Sequence, residues 1–220
     1  MLRRALTLVC LLAILSPLVG GCSRAGELSA HHAVDPVVSG GGKRVVVTDA
    51  SGKAVLKLRS RRNTWKIYSE DFRTQGFVRW HTSAGEPEHS VSLESVDRAT
   101  TARFRAVSPE VFELPGRLRI EKVERGWAVF DRNAQLLGLF ERTEDSTVNQ
   151  WSLRPNYTAK QSWTAERSED QIIARHVDGA TRSVDATHLS PPALLATQLD
   201  ALETLERMAL AAWFMRVMAS

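Results

Sequence analysis

Two cysteines, six histidines and a scatter of carboxylates are the residues here with the means to do chemistry. A thiol can be acylated, oxidised or made a nucleophile, and an imidazole can carry protons or bind a metal. Cys10 lies in the middle of an apolar run, and Cys22 stands at its end, directly after Gly20 and Gly21. His31 and His32 are adjacent but have no further ligand nearby, so they read as part of a solvated segment. Glu86, Glu88 and His89, with His81 close by, are the one local group able in principle to hold a metal or move protons. Gly85 and Pro87 mark that group as an exposed hairpin loop. His176 falls in an expected strand, as a packed or edge histidine. The chain has no G-x-S-x-G elbow, phosphate-cradling glycine loop, H-E-x-x-H or Cys/His cluster. No metal or cofactor is expected. Catalytic residues that converge only in three dimensions stay open, since triads have no fixed order in sequence.

The elements around Cys22 give it a role. Met1-Leu2-Arg3-Arg4 is a positive start, Ala5 to Val19 an apolar stretch of 15 residues, and Val19-Gly20-Gly21-Cys22 a small-residue exit. This is the three-part layout of a secretory signal peptide, expected to be removed as residues 1–21. The rival reading is a transmembrane anchor. A spanning helix needs about 20 apolar residues, and Pro17 with the two glycines ends this run early.

The junction Val19-Gly20-Gly21-Cys22 resembles the lipobox of bacterial lipoproteins, where an aliphatic and two small residues precede an invariant cysteine. The resemblance implies that Val19, Gly20 and Gly21 are recognised by a lipoprotein signal peptidase and that the Cys22 thiol receives a diacylglycerol. The new amino terminus is often acylated as well. Two or more acyl chains, at about 0.8 kcal/mol per buried CH₂, hold a soluble domain firmly where one does not. In the Gram-negative family an Asp after the cysteine favours inner-membrane retention; Ser23 stands here, which implies an outer-membrane destination.

Removal of Arg3 and Arg4 leaves 27 basic against 25 acidic residues and lowers the net charge from +4 to +2. Such a balance argues against nucleic-acid binding, which needs a concentrated basic face. The nearest approach to one is Lys57, Arg59, Arg61 and Arg62, read as a solvated strand end or turn, with contact to anionic lipid head groups as the alternative. With no cysteine after Cys22, the mature domain contains no disulfide and relies on packing.

Residues 22–43 are small, polar and Gly-rich, and read as a flexible tether. Residues 44–219 read as a single β-rich domain. Val45-Val46-Val47, a turn at Asp49-Ala50-Ser51-Gly52, and Ala54 to Leu58 form a hairpin. Further strands are expected at Ser90 to Val96, Arg103 to Val107, Thr147 to Leu153 and Gln171 to Val177. The first of these alternates cleanly, with one face buried and one in water.

An internal repeat appears at an offset of 62 residues. Leu56-Lys57-Leu58 falls on Leu118-Arg119-Ile120, Trp65-Lys66-Ile67-Tyr68 on Trp127-Ala128-Val129-Phe130, and Gly76-Phe77 on Gly138-Leu139. This predicts two related β-meander units, approximately 44–82 and 111–142. Trp65 with Ile67, and Trp127 with Val129, share a sheet face and point into a core. The alternative use of these tryptophans is a ligand platform. Gly76 and Gly138 are expected where a turn ends or a bulge begins.

Ser190-Pro191-Pro192 opens a predicted C-terminal helix, 191–219, with Ser190 as cap and an unbroken run of helix formers. It would be about 40 Å long if continuous. Asp200, Glu203, Glu206 and Arg207 give its first half a polar side, while Met208 to Met218 carries only Arg216 as a charge and is predicted to be buried nearly all round. Hairpins with Trp-x-aliphatic-aromatic followed by an apolar helix resemble, in pattern, the tubby-like and scramblase-like barrels, in which a closed antiparallel sheet encloses such a helix. Members bind membranes or lipids, and none of their head-group residues has a counterpart here. The fold class expected is mainly β: an antiparallel sheet or barrel with the helix packed against or inside it. The function expected is a membrane-anchored, non-enzymatic envelope lipoprotein that binds a protein or lipid partner. The alternatives are an envelope enzyme of hydrolase type with a dispersed site, or an acyl-chain carrier.

Overall fold

The short aliphatic and aromatic runs pair with one another in chain order. The computed structural model describes residues 42–69, 71–81, 90–143, 149–156, 160 and 162–217. The expected signal peptide, Cys22 and nearly all of the expected tether lie outside these. The first run of strands is β1 (Lys43–Asp49), β2 (Ala54–Arg61), β3 (Thr64–Tyr68), β4 (Thr74–Trp80), β5 (Val91–Glu94) and β6 (Thr100–Arg103). The second is β7 (Arg105–Ser108), β8 (Val111–Leu114), β9 (Leu118–Val123), β10 (Gly126–Asp131), β11 (Leu136–Arg142), β12 (Gln150–Arg154), β13 (Trp163–Arg167), β14 (Gln171–His176) and β15 (Thr181–Asp185).

All fifteen form one antiparallel sheet in the order β6 back to β1, then β15 back to β7. The two runs are joined where Thr48 of β1 faces Ser183 of β15. The remaining edges, β6 and β7, are separated in sequence by Phe104 alone, so the sheet curls into a nearly closed barrel. The expected strand Arg103 to Val107 is therefore interrupted. Phe104 turns its ring inward, 2% exposed, while its N–H bonds the Val91 carbonyl at 2.7 Å. Curling of this kind leaves only two short edges, β6 and β7, of four residues each, which limits the unpaired edge that invites aggregation.

Five hairpins share one turn. At Asp49, Ser69, Ser95, Asp131 and His176 the backbone N–H bonds the carbonyl four residues on, and the carbonyl accepts from the N–H three residues on. The residue before the closing one is left-handed in each: Gly52, Phe72, Arg98, Ala134 and Gly179. This is a three-residue loop with a bulge, matched to the twist of antiparallel strands. Only two of the five carry glycine at the left-handed position, so three gave no glycine signal in the sequence.

The repeat segments share a register. Ile67 faces Leu58 and Gly76, with a bulge after Ile67; Val129 faces Ile120 and Gly138, with a bulge after Val129. The glycines thus stand where the bulges begin. A division into two meander units, 44–82 and 111–142, is not confirmed, because each segment runs on into further antiparallel strands of the same sheet. Trp65 and Trp127 are 3% and 8% exposed and belong to the core.

β5 differs from its expected half-exposed pattern, since all four residues are buried. Ser92 on its outward side is covered by His81, whose Nε2 lies 3.0 Å from Ser92 Oγ. Glu94 is covered by two arginines.

The C-terminal segment is two helices, α1 (Pro191–Ala196) and α2 (Thr204–Val217), which corrects the single helix expected over 191–219. Strands of four to eight residues make a barrel too short for a 40 Å rod. Doubling back instead packs α1 against α2 and keeps both inside. The Thr197 hydroxyl bonds the Leu194 carbonyl at 2.7 Å, drawing it from the helical ladder. Arg207 ties the connection down, with Nη1 3.3 Å from the Thr197 carbonyl and 3.1 Å from Asp200 Oδ1. Ser190 makes no side-chain cap; the prolines fill the first helical positions. Every residue of α1 is buried, as are Met208 to Phe214 of α2, none more than 1% exposed.

Candidate functional site

With the barrel axis occupied, concave sites among the described residues include one at each of its two ends. At the end where β1 begins, an apolar notch of about 240 Å³ is floored by Val45, Trp65, Trp80, Ala212 and Met215. Lys43, Arg216, Ser60, Thr187 and His188 supply its polar atoms. Strand alternation explains the floor: Val45, Trp65 and Trp80 all sit at inward positions, and α2 brings Met215 up from inside. The Trp65 and Trp80 rings meet edge to face, with centroids 5.3 Å apart.

Ser60, His188 and Asp185 near this notch are residue types of a hydrolytic triad, but their geometry is not that of one. His188 Nδ1 is 3.6 Å from Asp185 Oδ1, beyond hydrogen-bond reach. That oxygen already accepts from the Thr187 N–H at 2.8 Å and hydroxyl at 2.6 Å, which hold the Asp185 carboxyl below its usual pKa. No hydrogen bond joins Ser60 to His188 among the described residues.

At the other end, a polar groove of about 360 Å³ runs between the wall and the α1–α2 connection, lined by Tyr68, Arg182, Gln198, Asp200 and Arg207 among others. The Arg207–Asp200 pair crosses it. Nearby, Arg117 of the β8–β9 turn reaches Glu206 at 2.9 Å and clamps α2 to the wall.

Glu94 is the most buried carboxylate described, 5% exposed. Arg79 Nε lies 2.5 Å from one of its oxygens and Arg98 Nη1 3.3 Å from the other, while the Arg98 guanidinium lies 3.2 Å from the Phe77 ring centroid. Burial pushes the Glu94 carboxyl up, but hydrogen bonds from Arg79 and Arg98 more than offset this and hold it below its usual value. With both oxygens engaged and the proton disfavoured, Glu94 is suited to pinning the β5–β6 turn onto β4, and poorly suited to proton transfer near neutrality. Asp49, Asp71 and Asp97 are likewise lowered, chiefly by hydroxyls of Ser51, Ser69 and Ser95 within their own turns.

Of the residues singled out from sequence, Val19, Gly20, Gly21, Cys22, His31, His32, Glu86, Glu88 and His89 lie outside the described residues. His81 is held by Ser92. His176 stacks near Trp163, centroids 4.8 Å apart, and meets Asp178 Oδ1 at 2.6 Å, so it is a hairpin-turn residue. Among the described residues no group of three or more His, Cys, Asp or Glu could hold a metal, and no helix is long and apolar enough to cross a membrane.

Register also gathers a feature that sequence showed only in part. Arg44 faces Arg59, and Arg59 faces Lys66, across β1, β2 and β3. Val45, Leu58, Trp65 and Ile67 point into the core, so this row shares the outward face with Lys57 and Arg61. Residues 43–68 hold eight basic side chains and one acid, Asp49; residues 69–220 hold 18 basic and 22 acidic. The near-neutral total therefore conceals a strongly basic wall. No family model, curated protein or solved structure matches the chain.

Proposed function

We propose that this chain is an envelope lipoprotein, held on a membrane by lipid on Cys22, whose barrel domain binds a protein or lipid partner on its outer surface and catalyses no reaction. The lipobox residues Val19-Gly20-Gly21-Cys22 support the anchor, and Ser23 favours the outer membrane in a Gram-negative cell. The observation that carries the binding reading is the filled interior: α1 and the Met208–Phe214 stretch of α2 occupy the space where an acyl-chain carrier would need a cavity. The likeness to tubby-like and scramblase-like barrels rests on the sequence pattern of residues 44–219 alone. The hydrolase reading finds its best residue types in Ser60, His188 and Asp185, whose geometry disfavours it.

Expression in a bacterial host with labelled palmitate tests the anchor. The wild-type chain should take up label and sediment with membranes, and Cys22→Ala should do neither. An uncut, unlabelled wild-type chain would end the lipoprotein reading. A fluorophosphonate probe tests the catalytic alternative, and covalent labelling at Ser60 would reverse the non-enzymatic conclusion.

A further inference from the structure

We infer that the outer face of β1–β3 is an electrostatic docking surface for an anionic bilayer, seating the barrel on the membrane that carries its lipid. The inference rests on the lipoprotein reading for its location and on charge segregation for its chemistry. Like charges placed opposite one another on neighbouring strands destabilise a sheet. The Arg44–Arg59–Lys66 row has that arrangement, with Lys57 and Arg61 one step along β2 and Arg62 exposed at the adjoining turn. Arg44, Arg61 and Arg62 are exposed on this face, and a surface rich in phosphate head groups fits such an extended row of cations better than it fits a pocket.

Two further observations point to a membrane surface. β1 begins at Lys43, so the basic wall is the part of the barrel nearest in sequence to Cys22. The notch at the same end offers Trp80 and Met215 beside Lys43 and Arg216, an aromatic and apolar edge with cations around it. Indoles beside basic side chains suit the head-group boundary of a bilayer.

The test is vesicle binding by the processed chain, residues 22–220, made without lipid, so that the face acts alone. Vesicles of phosphatidylcholine are compared with vesicles containing phosphatidylglycerol at low and high salt. Each Lys or Arg brought to an anionic leaflet strengthens binding about fivefold. Replacing Arg44, Arg61 and Arg62 by Gln should therefore weaken binding to the anionic vesicles about a hundredfold. The matched control, Gln at Arg105, Lys122 and Arg132, removes the same charge from strands and a turn on the far side of the sheet order and should change binding little. Binding only to anionic vesicles, lost in salt and in the first variant alone, is the expected result. Equal loss in both variants would reduce the effect to net charge and overturn the inference. Equal binding to neutral vesicles, or no binding at all, would also overturn it. So would capture by soluble polyglutamate without binding to vesicles, which would assign the face to an acidic protein. Because palmitate labelling is measured separately, failure here leaves the lipid anchor standing, and failure there leaves this result interpretable.

Discussion

The indole of Trp213 on α2 meets the indole of Trp127 on β10 edge to face, with centroids 4.9 Å apart and ring planes at 87°. Phe112 at 5.1 Å and Phe214 at 5.2 Å surround the same ring, and Phe104, at 6.4 Å, brings in the seam between β6 and β7. One side chain thus fastens the inner helix to both the wall and its closure. Trp213→Ala should cost about 3–5 kcal/mol in urea unfolding. The Trp213 Nε1 is buried without a hydrogen-bond partner among the described residues, so Trp213→Phe gives up volume but no bond and should cost about half as much. Equal losses would assign the indole N–H a role that its surroundings do not suggest.

Truncation asks the same question of the whole helix. A chain ending at Arg207 loses seven residues of α2 that are at most 1% exposed, together with the aromatic cluster. Compared with the chain ending at Ser220 by circular dichroism, it should show no cooperative thermal transition. An unchanged melting curve would mean that α2 is dispensable to the core.

Gly126 and Gly138 should respond differently to the same substitution. A Cβ at Gly126 would lie 1.9 Å from the Phe140 carbonyl oxygen, a backbone atom with nowhere to go. At Gly138 the obstacles are the side-chain ends of Leu153 at 2.8 Å and Leu199 at 2.9 Å. Gly126→Ala should destabilise by about 3 kcal/mol or more, and Gly138→Ala by about 1–2 kcal/mol as the leucines shift. The reverse order in denaturant melts would contradict the packing described.

Acid should weaken the fold through Glu94. Its folded pKa lies below the ordinary glutamate value of 4.5, so between the two values the unfolded chain binds more protons than the folded one. The stabilisation is complete above that ordinary value and is lost as pH falls through the folded one. Glu94→Gln should lower stability at pH 7 by about 2 kcal/mol and flatten the acid limb of the stability profile. A parallel acid limb in both proteins would assign the loss to the turn aspartates instead.

Much of this protein was legible from residue order alone. Period-two runs located the first hairpin and β14, the shared Trp-x-aliphatic-aromatic pattern located β3 and β10, and the charge-poor stretch from Met208 to Met218 contained the segment Met208–Phe214 that is buried, while Met215 to Val217 are half-buried. These are local properties, written in neighbouring side chains.

Tertiary structure decided the rest. The break between α1 and α2 follows from the depth of a barrel whose strand lengths no helix sequence encodes, and a chain of good helix formers gives no warning of it. The left-handed residues Phe72, Arg98 and Ala134 are imposed by strand pairing against their own preference. The burial of Glu94 depends on Arg79, 15 positions away, and the basic wall on a register that sets Arg44 beside Arg59 and Arg59 beside Lys66. A sequence orders its residues along one line, whereas burial and charge density depend on which strands lie side by side.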